Sequence, residues 1–128
     1  MSALVWVWLS VAIASFSPGL VTDASAQQAN APKAAYATIR RYEGVTDSKE
    51  AGRRVNEGFV PIIRKIRGLV AYYWVDAGNG VMVSTSVFDS QAAAQESDRA
   101  AADWVGKNIK PLLPNPPQIA AGNVVAVK

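Results

Sequence analysis

The chain is 128 residues long, half of them apolar and 18% charged, which suits one globular domain and excludes a disordered one. It holds no cysteine and no histidine, so disulfides, thiolate metal sites, a cysteine nucleophile and the commonest near-neutral general base are all excluded. A net charge of +3 without a basic cluster interleaved with aromatics argues against a nucleic-acid partner.

The N-terminus reads as a targeting segment. Ala3–Phe16 is an apolar run, Ser17-Pro18-Gly19 breaks it, and the small-residue site Ala24-Ser25-Ala26 follows. This pattern predicts a signal peptide over residues 1–26, cleaved after Ala26, and an exported product, periplasmic or secreted. The run is shorter than the roughly 20 residues of a spanning helix, so no stable membrane span is expected after cleavage. No Lys or Arg precedes it; an uncleaved anchor or a start further upstream are the alternatives. Without residues 1–26, which carry only Asp23, 13 basic residues face 9 acidic ones, a mild +4.

Residues 27–34 are expected to be a flexible lead-in to a domain spanning 35–128. A first strand is expected over Tyr36–Glu43, with Tyr36, Thr38, Arg40 and Tyr42 on one face and Ala37, Ile39 and Arg41 on the other. A first helix starts near Thr46-Asp47, where Asp47 and Glu50 have capping-box spacing. Its buried stripe is Ala51, Val55, Phe59, Ile62/Ile63 and Ile66, and Pro61 should kink or restart it. Gly68 supplies the left-handed stop. Strands over Leu69–Val75 and Val81–Phe88 flank an Asn79-Gly80 turn. Asp89 or Ser90 caps a second helix to about Asn108, whose stripe is Ala93, Ser97, Ala100, Ala101 and Trp104. Four prolines make Lys110–Gln118 a stiff extended connection, and a last strand is expected over Ile119–Val127. The order β-α-β-β-α-β is the ferredoxin-like arrangement: an α+β fold with a four-stranded antiparallel sheet and two helices on one face.

Such a sheet leaves its other face bare, and a solvated face should alternate apolar with polar. The second strand does not, with Leu69, Ala71, Tyr73 and Val75 on one side and Val70, Tyr72 and Trp74 on the other. The last strand repeats this with Val124 against Val125 and Val127. A homodimer packed sheet against sheet is the expected solution.

The Gly68-started strand, the hairpin, and the run Val87-Phe88-Asp89 into an alanine-rich helix resemble antibiotic-biosynthesis-monooxygenase-like domains of the dimeric α+β barrel superfamily. The resemblance covers about Ala35–Val127. It implies a pocket between sheet and helices, and activities ranging from cofactor-free oxygenation of aromatic polyketides to haem degradation. Haem-degrading members use an Asn on the first strand and a Trp and a His on the second helix. Here the first strand has no Asn, Ser97 stands at the Trp position, and no His exists. The polyketide oxygenases orient a phenolic substrate with Asn, Trp, Tyr and Arg, for which this chain offers Tyr36, Arg40, Tyr72, Trp74 and Trp104.

Each of these has a plainer reading. Strand aromatics such as Tyr72, Tyr73 and Trp74 commonly pack in a core or dimer face, and Trp104 sits in a stripe of small residues. Adjacent Arg40 and Arg41 point to opposite faces, so one meets a buried face, where it pairs with an acid such as Glu43 or Glu57 or grips a carboxylate ligand. Arg53, Arg54, Arg64, Lys65 and Arg67, with Glu50 and Glu57, read as a solvated face. Asp98 and Asp103 on the second helix are five residues apart and lie on different faces, so no metal is expected, and no cofactor. Three functions stay open: a binding domain for a small apolar or aromatic molecule, a cofactor-independent monooxygenase of a phenolic substrate, and a structural or stress-related dimer without ligand. The catalytic residues of the second reading cannot be named from the sequence.

Overall fold

Alternation decides which side of the first strand meets the helices. In the computed structural model, which describes residues 33–128, Tyr36–Tyr42 forms β1, and Thr38, Arg40 and Tyr42 are buried while Ile39 and Arg41 are exposed. The expected leader, its cleavage site and most of the lead-in lie outside the described residues.

The first helical stretch is built from three pieces. Asp47 caps α1 (Ser48–Arg54) by accepting the backbone N–H of Glu50 at 3.0 Å. The chain then widens into a π-helical run, Val55–Phe59, and tightens again as α2, Val60–Ile63, with Pro61 in its first turn. Pro61 has no N–H to give, and the wide turn ahead of it lets the helix continue rather than break. Gly58 lies within this turn because nothing larger fits. A Cβ there would stand 2.7 Å from Cζ2 of Trp104. Ala51, Val55, Phe59, Ile63 and Ile66 face the core as the spacing predicts, whereas Ile62 is half-exposed.

Gly68 begins the hairpin with a φ of +92°, left-handed backbone that a side chain resists, and its carbonyl accepts the N–H of Asp89 at 2.9 Å. The two ends of the hairpin segment are thereby tied together. β2 (Leu69–Gly78) and β3 (Val81–Phe88) meet at Asn79-Gly80, both with positive φ, the geometry of a type I′ turn. Ser90 caps α3 (Gln91–Asn108) through the N–H of Ala93. A short 3-10 turn at Lys110–Leu112 interrupts the proline connection, and β4 (Gln118–Asn123) closes the sheet.

The strand order is β2-β3-β1-β4 with every neighbour antiparallel. This is the ferredoxin-like α+β fold read from the sequence. One core lies between sheet and helices, from Tyr42, Met82 and Phe88 to Phe59, Ala94, Ala101 and Trp104.

Three expectations are corrected. β2 runs on to Gly78, and an irregularity between Leu69 and Ala71 places Leu69 beside Phe88 on the core side, together with Tyr72 and Trp74. Pairing with β3, rather than strict alternation, sets the face there. β1 ends one residue early, at Tyr42. β4 spans Gln118–Asn123 instead of Ile119–Val127, because its partner β1 starts at Tyr36, opposite Asn123. Val124 still donates its N–H to Ala35, but Val125 and Val127 are exposed beyond the sheet.

Candidate functional site

A charge in a sheet centre must be explained by what surrounds it. Arg40 sits on a central strand, paired in register with Ser84 of β3 and Ile119 of β4, and only 6% of it is exposed. Its guanidinium reaches across the layer to the carboxylate of Asp98 on α3. Neither Glu43 nor Glu57 plays this part: Glu43 pairs with Arg41 and Glu57 with Arg53. Asp98 stands four residues after Ala94 and three before Ala101, on the edge of the small-residue stripe, where α3 approaches the sheet closely.

Beside this ion pair the layers separate into a cavity of about 420 Å³. Arg40 and Tyr42 form its inner wall, Asp98, Ala101, Ala102, Val105 and Gly106 of α3 one side, and Leu113–Pro117 with Ile119 the other. The proline segment is pinned there. Asn115 donates its side-chain N–H to the carbonyl of Glu43 at 3.2 Å, Leu112 accepts the N–H of Thr46, and Leu113 is buried. A volume of this size is in the range that holds a small organic molecule.

Inward of Arg40 and Tyr42 the space closes. Phe59, Tyr72, Trp74 and Trp104 line a cleft of about 10 Å³, which is hardly a water molecule's room. Their rings fill it themselves: Phe59 meets Tyr72 edge-on at 5.5 Å and Trp104 at 5.7 Å, and Tyr42 meets Trp74 at 5.5 Å. The sequence candidates therefore separate. Arg40 borders the roomy cavity and the cleft; Tyr72, Trp74 and Trp104 sit in the closed cleft, and Tyr72 and Trp74 also border a separate groove of about 520 Å³ between β2 and the first helical stretch; Tyr36 lies at the far end of β1, opposite Phe88, packed on the core. The residues that sequence reasoning passed over are Tyr42, Asp98 and the proline wall. Tyr42 shares a face with Arg40 and was legible from alternation alone.

The polar character of this layer extends along the strands. Thr38 and Ser86 face each other across β1 and β3, Ser97 approaches from α3, and all three hydroxyls and the Trp74 indole N–H are buried without a hydrogen-bond partner among the described residues. Burial raises the pKa of Tyr42 against the opposing charge of Arg40, and raises that of Tyr72 by the same desolvation, with Tyr42 adding to it. Both phenols are neutral donors rather than bases near neutral pH. Since the folded state holds them protonated, their contribution to stability is complete below the ordinary phenol value of 10.0 and is lost as pH climbs through the raised folded values. An ultraviolet titration of the native protein should show phenolate still forming above that value, with the late component reduced in Tyr72→Phe. An unchanged late component in that variant would mean that Tyr72 is not one of the shielded phenols.

Elsewhere the charges are ordinary. Glu50 accepts from both Arg53 and Arg54 on the solvated face of α1, and these hydrogen bonds lower its pKa to about 2. Among the described residues no three carboxylates gather in one place, and no helix is long and apolar enough to cross a membrane.

No protein-family model matches the sequence, and no curated protein matches it. Solved structures match its fold. A protein of unknown function from Nitrosomonas europaea, NE2512, superposes with a TM-score of 0.63 at 21% identity, over 76% of this chain and 95% of that one. The monooxygenase of the gene ActVA-Orf6 of Streptomyces coelicolor, solved with Nanaomycin D, gives 0.61 at 16% identity, over 77% and 95%. A dimeric ferredoxin-like protein from an uncultured marine organism gives 0.57 at 17%, over 75% and 100%. The expected likeness to monooxygenase-like ferredoxin-fold proteins is thus borne out at the level of fold.

Proposed function

We propose that this chain is an exported, homodimeric domain that binds a small apolar or aromatic molecule in the cavity between α3, β1 and the proline segment. The observation that carries the reading is the cavity itself: about 420 Å³ of largely apolar lining converging on one buried guanidinium. Export rests on the apolar run and the Ala24-Ser25-Ala26 site of the leader. Dimerisation is supported by the bare face of the sheet, where Ile39, Tyr73 and Val75 are 42%, 62% and 47% exposed, and by the dimeric relative of like fold.

Native mass spectrometry of the purified protein tests both halves of the reading. The expected spectrum is a dimer that retains a small molecule or takes up a bicyclic aromatic probe such as 2-naphthol. A dimer that takes up no ring compound points instead to a structural role.

A cofactor-independent monooxygenase is the second reading, favoured by the fold shared with the Streptomyces monooxygenase. In that chemistry an electron-rich phenol supplies the reactivity, and the protein positions it and stabilises negative charge as it develops. Arg40 stands where such a charge would be met, and the neutral phenols of Tyr42 and Tyr72 rule themselves out as bases. Oxygen consumption in the presence of an electron-rich phenol separates this reading from plain binding.

A further inference from the structure

The charges around the cavity are unequal. Arg40 and Lys110 line it against the single carboxylate of Asp98, so one positive charge is left over. The two members of the Arg40–Asp98 pair are also unlike in setting: the Arg40 side chain is 7% exposed and that of Asp98 39%. Water screens Asp98 more than Arg40, so the pair does not cancel at the cavity wall. Among the described residues Asp98 is the one hydrogen-bond partner of the Arg40 side chain, through Nη2. An arginine carries five N–H donors in a planar fork that matches a carboxylate, and a buried one holds that fork in fixed orientation.

The rest of the lining is mostly small or stiff apolar residues. Ala101, Ala102 and Gly106 give α3 a low surface there, and Pro114, Pro116 and Pro117 face it from the other side. Gly106 is telling, since a Cβ built on it meets nothing within 4 Å. The helix carries glycine, a poorer helix former than any residue but proline, at a position with room for a side chain, and that room borders the cavity.

We propose that the cavity is a site for a singly charged aromatic acid, its carboxylate on Arg40 at the inner wall and its ring between α3 and the prolines. The inference rests on the small-molecule reading above and narrows it to a ligand class. The exposed Lys110 adds long-range attraction that salt screens, so binding weakens as salt rises. A neutral ring of the same size gains the apolar contacts and lacks the charge-assisted hydrogen bonds; a cationic one meets the surplus positive charge.

Calorimetric titration of the purified protein with 2-naphthoate, 2-naphthol and 2-naphthylmethylamine, at one pH near neutrality, tests this. The expected order is acid above neutral ring by about tenfold or more, with the amine weakest. Lys110→Gln, at an exposed position, is expected to lower the affinity for naphthoate by about twofold to threefold and to lower that for naphthol less. Arg40→Gln removes the preference for the acid; should that variant fail to fold, the Lys110 comparison and the salt dependence of wild type carry the same question. Gly106→Phe fills the cavity from a helix face with open space and is expected to abolish binding of all rings while the protein stays folded. Naphthol binding as tightly as naphthoate, or the amine binding best, overturns the acid assignment and leaves the binding reading standing. A protein that binds none of the three loses both.

Discussion

Phe88→Ala is expected to lower the stability of the fold by about 3–5 kcal/mol, the usual range for emptying a fully enclosed phenylalanine site. Phe88 ends β3, has no exposed surface, and is paired with Tyr36 on β1 and Leu69 on β2. It lies where the three strands pass beneath the start of α3, and the next residue is tied back to Gly68. The neighbours that would have to collapse into the gap are strands held in register by their own ladders, so little relaxation is open to them. Against a total of about 5–15 kcal/mol for a domain of this kind, such a loss leaves it close to unfolding at body temperature. Urea unfolding should show the midpoint falling sharply with little change in slope. A loss below about 1 kcal/mol would place the centre of the core elsewhere.

On the opposite face the same kind of change should act on association and spare the fold. Tyr73→Glu combined with Val75→Glu puts two charges on the uncovered side of β2, where both wild-type residues are largely exposed in a single chain. The monomer loses only the cross-strand contacts of Tyr73 with Thr85 and Val75 with Val83, so its stability should fall by no more than about 1–2 kcal/mol. A sheet-to-sheet dimer, however, would have to bury both carboxylates against apolar surface, and dissociation is the expected result. Light scattering on the separated protein should find the wild type as a dimer at micromolar concentration and the double variant as a monomer, with unchanged circular dichroism. A monomeric wild type sinks the sheet-face interface; a dimeric variant moves it to another surface.

The two faces were legible in unequal measure. Short-range signals served well: Gly68, Asn79-Gly80, the Asp47 cap and the Ser90 cap each act within three or four residues, and each stands where the chain alone puts it. Pairing between distant strands was the harder part. Leu69 changes face because β3 dictates its partner, and the valines after Asn123 favour extended chain but have no strand opposite them to pair with. The π-helical run is hidden for a related reason, since Pro61 announces a disturbance while Trp104, far along the chain, decides its form.

The candidate site shows the same limit. That one of Arg40 and Arg41 must be buried follows from alternation, and β1 shows it to be Arg40. Its partner was sought among acids nearby in sequence, and Asp98 is 58 residues away, brought in by the close packing of a small-residue helix. The connection Lys110–Gln118 looked like a spacer because prolines do not form regular structure. Nothing local reveals that Asn115 and Leu112 fasten it to the start of α1 and the end of β1 and make it a wall.

That wall bears on how selective the cavity can be. Pro111, Pro114, Pro116 and Pro117 each fix one backbone angle, so the segment has few shapes open to it whether or not anything is bound. A guest therefore surrenders its own freedom on entering but need not also freeze a loop, and more of its contact energy survives as affinity. The same stiffness works against tolerance. A side made of glycine and serine would swell around a thicker molecule, whereas this one keeps its gap, and compounds a methyl group too deep should be turned away.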